Sequence, residues 1–297
     1  MEARAKKTAL ILSGGGARGA FQCGAEKYAR DVKGYKWNII AGVSVGALNG
    51  TMLAMHKYQR LLEIWNTISD EQVYTGGFNL FSVVRLLFGA KSFYGNEPLQ
   101  RMMKQELETG EIIDDLRVGS VSLVSGEYIE FTKDSPNLME AVLASTVMPV
   151  IWTPVEISEK YQSMVDGGVR NISPVGDVLD DEPDEIVIIN CSPETPAVLP
   201  KPPENVLKIG MRTLDILLNE IFVSDMSEFL RINALVKEAE QQGVTLHHPK
   251  SGKPLKYYPC QIIEPDADLG ETLDFSQRAV QASMQAGVRR AREVLGR

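Results

Sequence analysis

Histidine and cysteine are scarce in this chain, with three of each among 297 residues. Cys23, Cys191 and Cys260 are odd in number and far apart, which argues against a disulfide framework and against the close Cys/His spacing of a zinc site. Positive charge is also in short supply. The formal net charge is −8, which argues against general nucleic-acid binding and weakens simple electrostatic docking on anionic lipid. No apolar run reaches the ~20 residues needed to cross a bilayer. Residues 1–7 carry charge but lead into no signal-peptide core, so the expected setting is the cytoplasm, with peripheral contact at a membrane surface left open. The chain has no repeat and no Gly/Ser linker, and its length suits one large domain spanning 1–297. The acidic stretch 180–185 lacks the alternating ligands and glycine of a calcium loop and reads as a solvated turn.

What is present begins with Gly42-Val43-Ser44-Val45-Gly46. It follows the apolar run 37–41 and precedes the helix-forming Ala47-Leu48, so it reads as a nucleophile elbow. Residues larger than glycine at 42 and 46 would clash in so sharp a turn. Ser44 would then sit at a helix N-terminus, whose free N–H groups and partial positive charge suit an oxyanion.

Upstream, the apolar strand 8–12 runs into Ser13-Gly14-Gly15-Gly16-Ala17-Arg18-Gly19, followed by a helical stretch at 21–30. Successive glycines leave backbone N–H groups able to converge on one anionic oxygen. Gly14, Gly16 and Gly19 also fit a dinucleotide loop. That reading wants an acidic residue about 20 positions on, where the ribose would sit. The tip of the next strand instead carries Ser44, and no Lys-Ser/Thr follows Gly19 to make a phosphate loop. Arg18 stands at a helix start, where the dipole opposes a cation. Two readings of it stay open, a salt bridge to a nearby carboxylate and an anion-facing role.

Asp166-Gly167-Gly168 taken alone is a turn. The histidines change its weight. His56 lies twelve residues beyond Ser44, roughly 18 Å along the elbow's own helix, and His247 and His248 sit in a polar, proline-containing loop. If none of them serves Ser44, a carboxylate must take the serine proton directly.

The glycine loop 14–19, the elbow 42–46 and Asp166-Gly167-Gly168, in that order, together with the linking segment 144–149, resemble the patatin-like phospholipase family over residues 8–190. The resemblance implies a three-layer α/β/α sandwich with a central, mostly parallel sheet. It also implies a Ser-Asp dyad of Ser44 and Asp166 that cleaves acyl esters of phospholipids or other lipids without a metal or cofactor, the oxyanion being held by Gly14, Gly15 and Gly16. Ile172-Ser173 departs from the asparagine or threonine often found there, which bears on loop packing. An acyltransferase using the same serine with an alcohol or thiol acceptor stays open, as does a non-catalytic binding module. The sequence does not fix the oligomeric state.

Strand-like runs recur at 120–124, 128–131, 185–190 and 260–263, with a hairpin turn at 125–127 and an alternating segment at 153–157. Helices are expected over 207–240 and 275–295. A lid or acyl-wall insertion is expected within 58–116. Its apolar stretch 78–88 reads equally as lid or as packed helix. Residues 205–297 are expected to form a C-terminal helical part.

Overall fold

A computed structural model describes residues 6–73, 97–149, 151–196, 198–199 and 201–296. In chain order the elements are β1 (Thr8–Leu12), α1 (Gly19–Lys33), β2 (Ile39–Gly42), α2 (Val45–Ala54), α3 (Tyr58–Thr67), the short α4 (Asp70–Val73) and α5 (Glu97–Glu108). They continue as β3 (Asp115–Ser122), β4 (Tyr128–Thr132), α6 (Leu138–Ser145), β5 (Met164–Asp166), β6 (Glu185–Ile189), α7 (Val206–Gln241), β7 (Cys260–Ile263) and α8 (Gln277–Leu295). The candidate lid 78–88 lies outside the described residues.

The strands form one sheet in the order β4-β3-β2-β1-β6-β7, with β5 paired to β3. All pairings are parallel except β3 with β4 and β3 with β5. β1 lies in the middle and is buried along its whole length, as its unbroken apolar sequence requires. Its side chains alternate between two cores. Leu10 and Leu12 face a layer holding Phe21, Met52, Trp65 and Val280, while Ala9 and Ile11 face Val178, Phe222 and Met226. The result is the helix–sheet–helix sandwich expected from the sequence.

Several expectations change in detail. β3 begins at Asp115, because its first residues pair with β2 despite their charge. The alternating segment 153–157 is only a bridge between Val155 and Met164. Pro154 has no N–H to extend a ladder there. The acidic stretch 180–185 is more than a solvated turn, for Asp181 pairs with Arg117 at 3.0 Å, Asp180 with Lys253 at 2.9 Å and Glu185 with Lys6 at 2.6 Å. The region 205–297 is not only helical, since β7 completes the sheet beside β6. Among the described residues no helix is long and apolar enough to cross a membrane.

Helix α8 lies directly against α1, the helix that follows the glycine loop. The contact is backbone to backbone. A Cβ on Gly24 would strike the Met284 carbonyl, and one on Gly287 would strike the Phe21 carbonyl. Gly210 in α7 has open space around it. Opposite effects are therefore expected from the same substitution. Gly287→Ala should destabilise the protein by about 1–3 kcal/mol through overpacking. Gly210→Ala should stabilise it by up to about 1 kcal/mol through helix propensity. Denaturant titration of both variants reads the two signs, and equal signs would refute the close contact.

Candidate active site

Ser44 and Asp166 come from two strands that meet end to end. β2 pairs with β3 as far as Gly42 opposite Val118, and β5 takes the next stretch of the same β3 edge, placing Asp166 opposite Ser120. Ser44, two residues past β2, therefore meets the last residue of β5. The junction is closed by Ser145, whose Oγ donates to the Gly119 carbonyl at 2.6 Å and accepts from the Ser44 N–H at 2.9 Å. The Asp166 N–H donates to the Val147 carbonyl at 2.9 Å.

The elbow is as sharp as its sequence suggests. Ser44 has φ 56° and ψ −130°, a sparsely populated conformation for a residue with a side chain, which costs on the order of 1–3 kcal/mol. A Cβ on Gly42 would collide with the Gly46 carbonyl, and one on Gly46 with the carbonyls of Leu12 and Ser13. No larger residue fits either place. The strand, turn and helix thus cross over the end of β1 at backbone distance.

Asp166 is 7% exposed. Its Oδ1 accepts from the Gly168 N–H at 2.8 Å, and the Ser44 hydroxyl lies close enough to the carboxylate to favour its charged form. Burial pushes its pKa up to about 6, against the pull of the Ser44 hydroxyl and the Gly168 N–H, which lower it. The carboxylate is thus more basic than an ordinary aspartate while remaining in contact with the nucleophile candidate.

In the glycine loop, the Gly14 N–H is already committed to the Ile172 carbonyl at 3.1 Å, and the Ala17 N–H to the Thr272 carbonyl at 2.8 Å. The N–H groups of Gly15 and Gly16 have no partner among the described residues. The loop therefore offers two free donors where the sequence suggested three. Arg18 has some of both expected characters. Its Nε donates to the Gly270 carbonyl at 2.8 Å, its nearest carboxylate is Asp268 at 4.0 Å, and its side chain lines the cleft.

The histidines are elsewhere. His56 falls just past the end of α2, not on the helix, with φ 55°, and meets Asp114 at 2.8 Å. His247 and His248 belong to the bridge region near Pro254, and His248 lines a separate surface cavity with Lys253.

Two clefts open from Ser44. The more polar of the two sets Arg18, Asp166, Asn190, Asp215, Asn219 and Thr272 among an apolar majority that includes Met148, Ile172, Leu214, Leu218 and Phe222. The other is almost wholly apolar, walled by Leu48, Met52, Trp65, Leu99, Met103 and Phe275. Of these residues, sequence reasoning singled out Arg18, Asp166, the general run of α7 and, as a possible acyl wall, the stretch 58–116 that supplies Trp65, Leu99 and Met103.

A family model described as patatin-like phospholipase matches residues 10–179, more than half of the chain. The chain belongs to the patatin-like phospholipase family. It is accordingly a lipid acyl hydrolase by family, acting on carboxylic esters. The match takes in the glycine loop, the elbow and Asp166, and ends before α7. Among solved structures, the crystal structure of VipD from Legionella pneumophila is similar at 13% identity and a TM-score of 0.48, covering 99% of this chain and 67% of that one. The ExoU–SpcU heterodimer of the type III secretion system of Pseudomonas aeruginosa is similar at 15% identity and a TM-score of 0.31, covering 77% of this chain and 52% of that one. No curated protein matches.

The raised pKa of Asp166 links the site to stability. Between the ordinary value of 3.8 and about 6, the folded protein holds a proton that the unfolded chain has released. Stability therefore falls as pH rises through that window, and the whole penalty is present above it. Asp166→Asn removes the penalty. The variant should melt above wild type at pH 8, by a margin that shrinks on acidification and disappears near pH 4. Thermal melts across that range test this, and a variant that melts lower at pH 8 would show that the carboxylate stabilises the fold.

Proposed function

We propose that this protein hydrolyses acyl esters of phospholipids through a Ser44–Asp166 dyad. The supporting observation is that Ser44 and the buried Asp166 meet at the ends of β2 and β5 and line one cleft that no histidine lines, the Ser44 hydroxyl being close enough to favour the charged carboxylate. Asp166 accepts the proton as Ser44 Oγ attacks the ester carbonyl carbon. The oxyanion is taken up by the free N–H groups of Gly15 and Gly16, at the head of the dipole of α2. The departing alcohol takes the proton back from Asp166. Water then attacks the acyl-enzyme, with the same carboxylate as base, and frees the fatty acid.

The apolar cleft is the acyl-chain site in this reading. Its walls come from α2, α3 and α5, so the described parts of 58–116 serve as acyl wall. The whole chain then acts as one catalytic domain. Peripheral contact with a lipid surface belongs to the same proposal. It is supported by α7, which exposes Ile209, Ile216 and Leu217 while its Leu214, Leu218 and Phe222 line the polar cleft.

Ser44→Ala should lose both ester hydrolysis and labelling by a fluorophosphonate probe. Labelling that persists would implicate another serine, with Ser13 and Ser145 first. Asp166→Asn should lower kcat on a soluble ester by at least about 10²–10⁴-fold, the range of a general acid–base group. Replacing His56, His247 and His248 together by Gln should change it by less than about tenfold, which is 1.36 kcal/mol. A histidine-free protein that stays folded yet is as inactive as Ser44→Ala would overturn the dyad.

The pH profile gives an independent reading. With wild type, kcat/KM should fall about tenfold per pH unit below the Asp166 pKa of about 6. A flat acid limb down to pH 4 would exclude Asp166 as the base.

A further inference from the structure

The polar cleft carries more charge and more open hydrogen-bonding capacity than ester hydrolysis requires. Arg18 has one good bond to a neutral carbonyl, a 3.3 Å contact from Nη1 to Ser192 Oγ and a 4.0 Å approach to Asp268. Its guanidinium is therefore incompletely paired. Asp215, from α7, lines the same cleft and has no ion pair within 4 Å among the described residues. Burial raises its pKa, and the charges of Arg18 and Arg212 lower it, so both cations are near enough to act on it. Its Oδ1 accepts from Thr272 Oγ1 at 3.4 Å, and the carbonyl of Thr272 holds the Ala17 N–H of the glycine loop. Asp215 is thus fixed close to the oxyanion donors.

Here a guanidinium with capacity to spare and a carboxylate with no ion pair within 4 Å among the described residues line one cleft, which reaches Ser44. A ligand bearing an anion and a cation answers both. A purely anionic head group would place its charge near Asp215, Asp268 and Asp166 with Arg18 the only cation among the lining residues. A neutral one would leave both ions unanswered.

We propose that this cleft binds the head group of a zwitterionic phospholipid, with the phosphodiester on Arg18 and the ammonium on Asp215, so that Asp215 selects choline or ethanolamine lipids over anionic ones. The inference rests on the hydrolase reading for its orientation, since the acyl ester must then lie between this cleft and the apolar one, at Ser44. Asp215 contacts the head group and takes no part in bond cleavage.

Two experiments test it. In the first, kcat/KM is measured for dihexanoyl phosphatidylcholine and dihexanoyl phosphatidylglycerol, both below their micelle concentrations so that no lipid surface contributes. Wild type should prefer the choline lipid. Asp215→Asn, which keeps the shape and the Thr272 bond, should lower that preference about ten- to hundredfold, the effect of one charge-assisted contact, mainly through KM. Asp215→Glu should recover part of it. An equal change for both lipids overturns the proposal.

The second experiment needs no turnover. Glycerophosphocholine and glycerophosphoglycerol are titrated calorimetrically into Ser44→Ala protein, with and without Asp215→Asn. Tighter binding of the choline compound, lost with Asp215→Asn, supports the site even if the protein proves inactive on esters, in which case only the dyad reading falls. Equal binding of the two compounds overturns the site even if esters are cleaved.

Discussion

The site depends on one shared strand edge. β3 offers its edge first to β2 and then to β5, and the two partners stop on either side of Gly119. A parallel strand and an antiparallel one therefore arrive head to head, and the residues just beyond their ends are forced together. One of those residues is Ser44 and the other is Asp166. Where the strands fail to pair, a buried carbonyl and a buried N–H would be left open, and each is costly without a partner. Ser145 answers both with one hydroxyl, donating to Gly119 and accepting from Ser44. Alanine at 145 would leave two buried backbone groups unsatisfied at the junction, so this serine is structural although it stands beside Ser44.

Around that junction the fold accepts two unfavourable features, a serine at positive φ and a carboxylate removed from water. Both persist because their surroundings leave no alternative. Gly42 and Gly46 let α2 cross β1 at backbone distance, and β1 is buried on both faces, so the elbow cannot relax without unpacking the sheet. Asp166 is held from both sides, its backbone N–H by Val147 and its side chain by Gly168. The same burial that costs stability above pH 6 raises the basicity of the carboxylate toward the range in which it can accept a serine proton.

The parts of this arrangement that were legible in the sequence are those set by local sterics. The elbow, the glycine loop and the Asp-Gly-Gly turn each need small residues within a few positions, and small residues leave a visible pattern. Segments whose form depends on distant partners were read less well. β3 starts earlier than its apolar residues suggest, because Asp115 and Arg117 are drawn into the sheet by β2. Residues 153–157 alternate like a strand, but Pro154 removes the donor that would extend the bridge beyond Val155. The Gly14 amide looked available until Ile172, more than 150 residues later, was found to accept from it. Asn190, Asp215 and Thr272 carry no local motif at all. They come from β6, from α7 and from the loop before α8, and only the closed sheet brings them to one cleft.

That division follows the family boundary. The matched residues 10–179 contain the elbow, the glycine loop and Asp166, whereas Asn190, Ser192, Asp215, Asn219 and Thr272 all lie beyond it. The two parts are not independent modules. β6 and β7 extend the same sheet, and α8 is locked to α1 by glycines on both helices, so the helix that follows the glycine loop is positioned by the C-terminal residues. Thr272 makes the coupling direct, since its carbonyl holds the Ala17 N–H while its hydroxyl holds Asp215. A change in the polar wall would therefore be felt at the glycine loop through one residue. Substrate preference in such a fold can vary with α7 and the 190–272 region while the elbow stays as it is, but only within the limits that Thr272 and the α1–α8 contact impose on the loop.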